Sequence, residues 1–166
     1  MNKKFLQIAL LTITTATLSG CGFGLRGINP AATQLAPAYS AVDISAEDTA
    51  LAHATKAKIS TQLAQLGIVS SSDAAGKIHV YNLRYREYKL LGVLTEIRLV
   101  LTADVRYQLG DKRITNTVQV ERSYQHNEAS VATSDQQGSQ IKVWLQDNLA
   151  ERIAEQYHAL AKAASQ

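Results

Sequence analysis

The alternation of apolar and polar side chains predicts four β-strands. The clearest strand covers residues 97–109, where every odd position is apolar and nearly every even position is polar or charged. This pattern is typical of a strand that buries one face and leaves the other in water. A change of phase near Val80 or Tyr81 indicates a β-bulge. The other three strands are predicted at residues 40–44, 78–87 and 114–120, the last after a turn at Gly110-Asp111-Lys112 that contains a two-residue loop.

Apolar residues at helical spacing predict two helices. Ser45, with Glu47 and Asp48 behind it, is expected to cap the first helix, and Gly67 to end it in a left-handed conformation. The second helix is predicted from Ser134 or Gly138 to Ala163. The expected apolar stripes are Leu51, Ile59, Leu63 and Leu66 in the first helix, and Ile141, Leu145, Leu149, Ile153, Tyr157 and Leu160 in the second.

The order of these elements is βαβββα, which predicts an α+β fold. We expect a two-layer sandwich in which both helices pack on one face of a four-stranded, mostly antiparallel sheet. The predicted single domain covers residues 38–166, after a signal peptide at 1–20 and a tether at 21–37. No disulfide framework is possible within a chain that has one cysteine.

The first residues are typical of a lipoprotein signal peptide. Lys3 and Lys4 precede an apolar stretch at 5–18, which reaches about 21 Å as a helix and is too short to span a bilayer core of about 30 Å. The stretch ends in Leu18, Ser19, Gly20 and Cys21, the order of a bacterial lipobox. Cys21 is therefore predicted to carry the diacylglycerol thioether and the N-acyl group, with Gly22 favouring the periplasmic side of the outer membrane.

Charge and composition argue against several classes of function. When Lys3 and Lys4 leave with the signal peptide, the 17 basic residues fall to 15, against 14 acidic ones. No run of Lys or Arg suits nucleic acid. His53, His79, His126 and His158 lie on different elements and form no metal-binding or catalytic motif. We therefore expect no enzyme activity, no metal and no cofactor.

The second hairpin carries a candidate anion site. A loop centred on Gly92 would place Arg86 opposite Arg98, with Arg84 beside them and Lys89 toward the tip. Facing like charges destabilise a sheet unless an anion binds them, and Arg binds phosphate oxygens in pairs. In the alternative interpretation, Glu87, Glu96 and Asp104 neutralise these arginines and the face is ordinary solvated surface.

The tip of the same hairpin is apolar, with Leu90, Leu91, Val93 and Leu94 close together. Such a cluster indicates contact with a partner or an acyl chain. Two alternatives stay open: the loop folds back onto the sheet edge, or both strands extend further.

The segment Cys21-Gly22-Phe23-Gly24-Leu25-Arg26-Gly27 resembles the mature start of the LptE family of lipopolysaccharide-assembly lipoproteins. The predicted order of elements is also similar to that family over the mature chain. The resemblance implies a lipoprotein that plugs the β-barrel LptD, helps it to fold and binds lipopolysaccharide. The same glycines satisfy GxGxxG, but no strand precedes them, as dinucleotide binding requires.

A lipoprotein that activates a cell-wall synthase by protein contact is the alternative function. Such proteins need a long linker to reach the cell wall. Here about fifteen residues, 22–37, precede the predicted domain. A partner at the membrane itself is therefore favoured.

Overall fold

Two helices pack on one face of a five-stranded mixed sheet in the computed structural model, which describes residues 35–91, 95–126 and 131–165, without the side chains of 131–133. The predicted signal peptide, lipobox and Cys21 lie outside the described residues. The elements are a 3₁₀ turn Pro37–Tyr39, β1 Ala41–Ala46, α1 Ala50–Gln65, β2 Val69–Ser70, β3 Gly76–Leu90, β4 Thr95–Leu109, β5 Lys112–His126 and α2 Val131–Ala164.

The sheet has the strand order β2-β1-β3-β4-β5. β1 runs parallel to both of its neighbours, and the other pairs are antiparallel. The α+β class and the helix layer are confirmed, but the prediction of four strands is wrong. The additional strand is β2, in which the Val69 N–H donates to the Ser40 carbonyl at 2.9 Å. Two residues are too few to show an alternating pattern.

The helix start predicted at Ser45 is wrong. β1 continues through Ala46, which pairs with Val80, so Ser45 lies in a strand. Thr49 caps α1 instead, and its hydroxyl accepts the Ala52 N–H at 3.1 Å. Gly67 adopts φ 76° and follows the end of the helix as predicted.

The core lies between the helices and the sheet. All seven odd-numbered residues of β4 from Ile97 to Leu109 are buried, and so are five of the six predicted stripe residues of α2, with Leu160 partly buried. In α1, Ile59 and Leu63 are buried, whereas Leu66 is 38% exposed because the helix has ended. Within the described part of the chain, neither helix has the length and apolar content needed to cross a membrane.

The predicted bulge is present in β3, one to two residues later than expected. The register shifts between Tyr81 and Arg84, and Asn82 adopts φ 54°. The Asn82 amide Nδ2 donates to Asp104 Oδ2 at 2.7 Å, and its main-chain N–H donates to Glu47 Oε1 at 3.0 Å. Asparagine tolerates this left-handed backbone better than most residues do.

Asn82→Ala is expected to lower the free energy of unfolding by about 1–2 kcal/mol, because alanine meets the left-handed penalty and loses the bond to Asp104. Asn82→Gly serves as the control, since glycine loses the same bond without the penalty. Urea unfolding of both variants measures the difference. Equal loss in the two would show that the backbone at this bulge is not strained.

Candidate functional site

The register of the β3–β4 hairpin is shifted by two residues from the predicted one. Tyr88 pairs with Arg98, and Arg86 pairs with Val100, so the predicted Arg86–Arg98 pair is wrong. The outermost pair, Leu90 with Glu96, centres the loop at position 93 instead of Gly92. This register avoids two facing guanidinium groups and places Arg98 over the Tyr88 ring, 5.5 Å from its centroid.

Three of the four predicted cationic residues share the open face of the sheet, opposite the helices. The buried odd positions of β4 face the helices, so Arg98 and its partner Tyr88 face away from them. Every second residue of β3 follows Tyr88 onto that face. We call this surface the hairpin face and define it as Arg84, Arg86, Tyr88, Leu90 and Arg98.

The tip beside these arginines is apolar and exposed. Leu90 is 53% exposed, Leu91 is 85% exposed and Tyr88 is 44% exposed. The strands extend to Leu90 and from Thr95, as one of the alternatives held. Leu90 and Leu91 do not fold back onto the sheet, and Val93 and Leu94 lie outside the described residues. The hairpin face therefore joins cations to an uncovered apolar end.

The arginines of this face differ in their partners. Arg98 is 3.4 Å from Glu121 on β5, and an Arg84 guanidinium N–H donates to the Asn82 carbonyl at 2.8 Å. Within the described residues, the side chain of Arg86 has no ion pair. Arg98 thus has an acidic partner, as the alternative interpretation held, but the partner is Glu121 and not one of the three predicted acids. The two-residue turn predicted before β5 already implied that Glu121 stands near Arg98, and the sequence reading missed that signal.

Lys89 does not join the arginines. It pairs with Ile97, whose side chain is buried toward the helices, and its ammonium lies 4.0 Å from Glu87 on the same face. There it lines a cleft of about 310 Å³ between the hairpin and the first half of α2. Side chains alternate along a strand, so Lys89 shares the helix-facing side of β3 with Tyr85 and Glu87, whereas Arg84 and Arg86 lie on the opposite side.

We call this space the hairpin cleft, and both acidic and basic side chains line it. Glu87 and Asp135 line it together with Lys89 and Lys142. Burial raises the pKa of Tyr124 within it, and the neighbouring carboxylates Glu87 and Asp135 add to that rise. The cleft is therefore less suited to a phosphate than the hairpin face is.

The carboxylate of Asp104, beside the bulge at Asn82, accepts two side-chain hydrogen bonds. The Thr117 hydroxyl donates to Asp104 at 2.6 Å, and the Asn82 amide donates to its other oxygen. These two bonds, with a smaller contribution from the Arg84 charge, hold the pKa of Asp104 below its ordinary value of 3.8.

Asp104→Asn is expected to lower stability at pH 7 and to have a smaller effect at pH 3. A carboxylate with a depressed folded-state pKa stabilises the fold above its unfolded pKa, and this contribution fades as the pH falls through the folded value. Urea unfolding of both proteins across pH 2–7 measures the change. A difference that does not depend on pH would contradict the assignment to ionised Asp104.

Solved bacterial lipoproteins share this fold. A minor lipoprotein from Acinetobacter baumannii is 27% identical, with a TM-score of 0.66 over 76% of this chain and 94% of its own. Rare lipoprotein B from Shewanella oneidensis is 14% identical, with a TM-score of 0.62 over 76% and 99%. Uncharacterized lipoprotein B from Nitrosomonas europaea is 13% identical, with a TM-score of 0.62 over 78% and 92%.

No protein-family model matches the chain, and no curated protein matches it either. The two more distant structures show the fold alone, whereas the Acinetobacter protein is also similar in sequence. The kind of protein is therefore a membrane-anchored lipoprotein with an α+β domain.

Proposed function

We propose that this chain is an outer-membrane lipoprotein that assembles lipopolysaccharide into the outer leaflet together with an LptD-type β-barrel. It plugs the barrel, helps the barrel to fold and binds lipopolysaccharide, without enzymatic chemistry. Three features support the proposal: the lipobox, the LptE-like segment at 21–27, and a fold that solved lipoproteins share.

The observation that carries the proposal is the composition of the hairpin face. Arg86 has no ion pair within the described residues, Arg98 and Arg84 lie near it, and Leu90 and Leu91 are exposed at the adjoining tip. A surface that places cations next to apolar side chains matches a lipid whose headgroup carries phosphate. Lipopolysaccharide has this chemistry, because phosphorylated sugars carry its acyl chains.

The chemical roles divide along the hairpin. The guanidinium groups of Arg86 and Arg98 donate charge-assisted hydrogen bonds to phosphate oxygens. The Arg98 guanidinium makes a cation–π contact with the ring of Tyr88 on β3 and an ion pair with Glu121 on β5. The leucines at the tip contact acyl chains or the barrel wall. Acylated Cys21 fixes the height of the domain at the membrane, since several acyl chains make dissociation slow.

Depletion of this lipoprotein in its source bacterium tests the proposal. Newly made lipopolysaccharide is expected to stop reaching the cell surface, and the folded barrel is expected to decrease. A plasmid copy should restore both, whereas a Cys21→Ser copy should restore them poorly because it lacks the anchor. Unchanged surface lipopolysaccharide after complete depletion would contradict the proposed function.

A further inference from the structure

The outer edge of β5 is a long strand edge without a neighbour in the part of the chain that the structure describes. Lys112–His126 pairs with β4 through fifteen consecutive residues and without a bulge. Natural proteins usually shorten, bend or cover such edges, because unpaired N–H and C=O groups recruit another strand. A straight edge of this length is a template for strand addition.

The main-chain groups that face outward belong to the odd-numbered residues of β5. A guanidinium N–H of Arg152 on α2 donates to the carbonyl of Gln119 at 3.5 Å, so this carbonyl points away from β4. In an antiparallel pair the main-chain groups alternate between the partner and the outer side. The two-residue turn ends at the hydrogen-bonded pair of Leu109 with Lys112. The main-chain groups of Lys112 and of the other even-numbered residues of β5 therefore face β4, which leaves those of the odd-numbered residues outward.

A side-chain pocket adjoins this edge. It has a volume of about 360 Å³ and is lined by Arg122 and Ser123 of β5 and by Gln137, Gln140, Ile141 and Trp144 of α2. The Trp144 side chain is 40% exposed, and the Arg122 guanidinium lies 4.6 Å above its ring. The pocket combines an apolar wall with a cation that faces solvent.

The charges of α2 are divided between its two sides. Asp147 pairs with Lys58 of α1, and Glu151 and Glu155 line a small pocket on the same side, next to the end of α1. The side next to β5 presents Arg152 and, from the strand, Arg122. The groove along the β5 edge is therefore basic and complements an acidic segment.

We propose that the β5 edge binds an extended segment of a partner protein as a sixth strand. An apolar side chain of the segment enters the pocket beside Trp144, and an acidic side chain pairs with Arg122 or Arg152. Main-chain hydrogen bonds supply affinity in this mode, and the alternate side chains supply specificity.

A second copy of this chain fits the edge poorly. The residues of β5 that face the helices are those at even positions, and none of them is acidic. Two β5 strands that pair with their faces matched would therefore bring no carboxylate to Arg122 or Arg152. The occupant that we commit to is a segment of a different protein.

A random peptide library tests the proposal on the full-length lipoprotein in detergent micelles. Peptides of about twelve residues are selected by phage display, and their affinities are measured for the unaltered protein, Ser123→Pro and Ser123→Ala. Proline at Ser123 removes one outward N–H and no bond to β4, so the fold should persist. We expect enriched peptides with an apolar residue near an acid, bound equally by Ser123→Ala and at least tenfold more weakly by Ser123→Pro.

Trp144→Ala provides a second measurement, because it leaves the main-chain groups of the β5 edge unchanged. This variant is also expected to weaken peptide binding at least tenfold. The proposal is wrong if no such peptide is enriched, or if the selected peptides bind Ser123→Pro and Trp144→Ala as tightly as the unaltered protein. Dimerisation in sedimentation experiments that Ser123→Pro abolishes would also overturn it, because a second copy would then be the occupant. None of these outcomes depends on lipopolysaccharide binding.

Discussion

Replacing Arg86 and Arg98 together by glutamine is expected to weaken lipopolysaccharide binding by about a hundredfold. Each arginine contributes charge-assisted hydrogen bonds to phosphate, which are worth about 1.5–3 kcal/mol before solvent screening. We therefore expect each exposed guanidinium to contribute about a tenfold factor in affinity. Titration calorimetry of the detergent-solubilised lipoprotein with lipopolysaccharide measures the change. Glutamine is preferred to glutamate because Glu121 already stands 3.4 Å from Arg98.

The matched control is Arg106→Gln with Arg113→Gln. Both arginines lie on the same open face, near the opposite end of β4, so the control removes the same charge from the same side of the sheet. Less than about a threefold loss of affinity is expected, since screening at physiological salt acts within about 8 Å. An equal loss in the two double variants would show that binding depends on net charge and would exclude a defined site at the hairpin.

Gly76→Ala is expected to lower the free energy of unfolding by about 2–3 kcal/mol. The Cβ of an alanine here would collide with the hydroxyl of Tyr157, a fully buried residue of α2. That hydroxyl donates to the main-chain carbonyls of Tyr39 and Ala41, and burial raises its pKa to about 12. Because Tyr157 is fully buried, its ring or the backbone of β3 must shift to make room for the Cβ. Urea unfolding measures the loss.

A double-mutant cycle isolates this contact. Tyr157→Phe alone is expected to cost about 1 kcal/mol for the lost hydrogen bonds. Gly76→Ala in the Tyr157→Phe background should cost about 1 kcal/mol less than it does in the unaltered protein, because the colliding oxygen is gone. Additive losses would show that the hydroxyl does not limit the space at Gly76.

The parts of the fold that the sequence predicts well are those with long, regular patterns. The odd positions of β4 and the stripe of α2 are repeated often enough to identify one buried face. The turn at Gly110-Asp111 fixes the β4–β5 register, because it has two residues and Gly110 adopts φ 60°. Such features depend on local chemistry alone.

The features that the sequence misses depend on contacts between distant segments. β2 forms because its two residues reach the edge of β1, and Thr49 caps α1 because β1 continues as far as Ala46. The bulge was predicted, but its position at Asn82 depends on the bonds of this residue to Asp104 and Glu47. The pairing of β3 with β4 is shifted by two residues from the predicted register, which separates Arg86 from Arg98. The sequence therefore identified the arginines of the candidate site but not how they pair.

Gentle detergent extraction of outer membranes that carry the tagged lipoprotein tests the central claim most directly. Affinity purification is followed by identification and quantification of the proteins that co-elute. The account predicts one large LptD-type barrel that elutes at one to one with the lipoprotein and resists high salt. Recovery of the lipoprotein alone, or together with a cell-wall synthase, would contradict it.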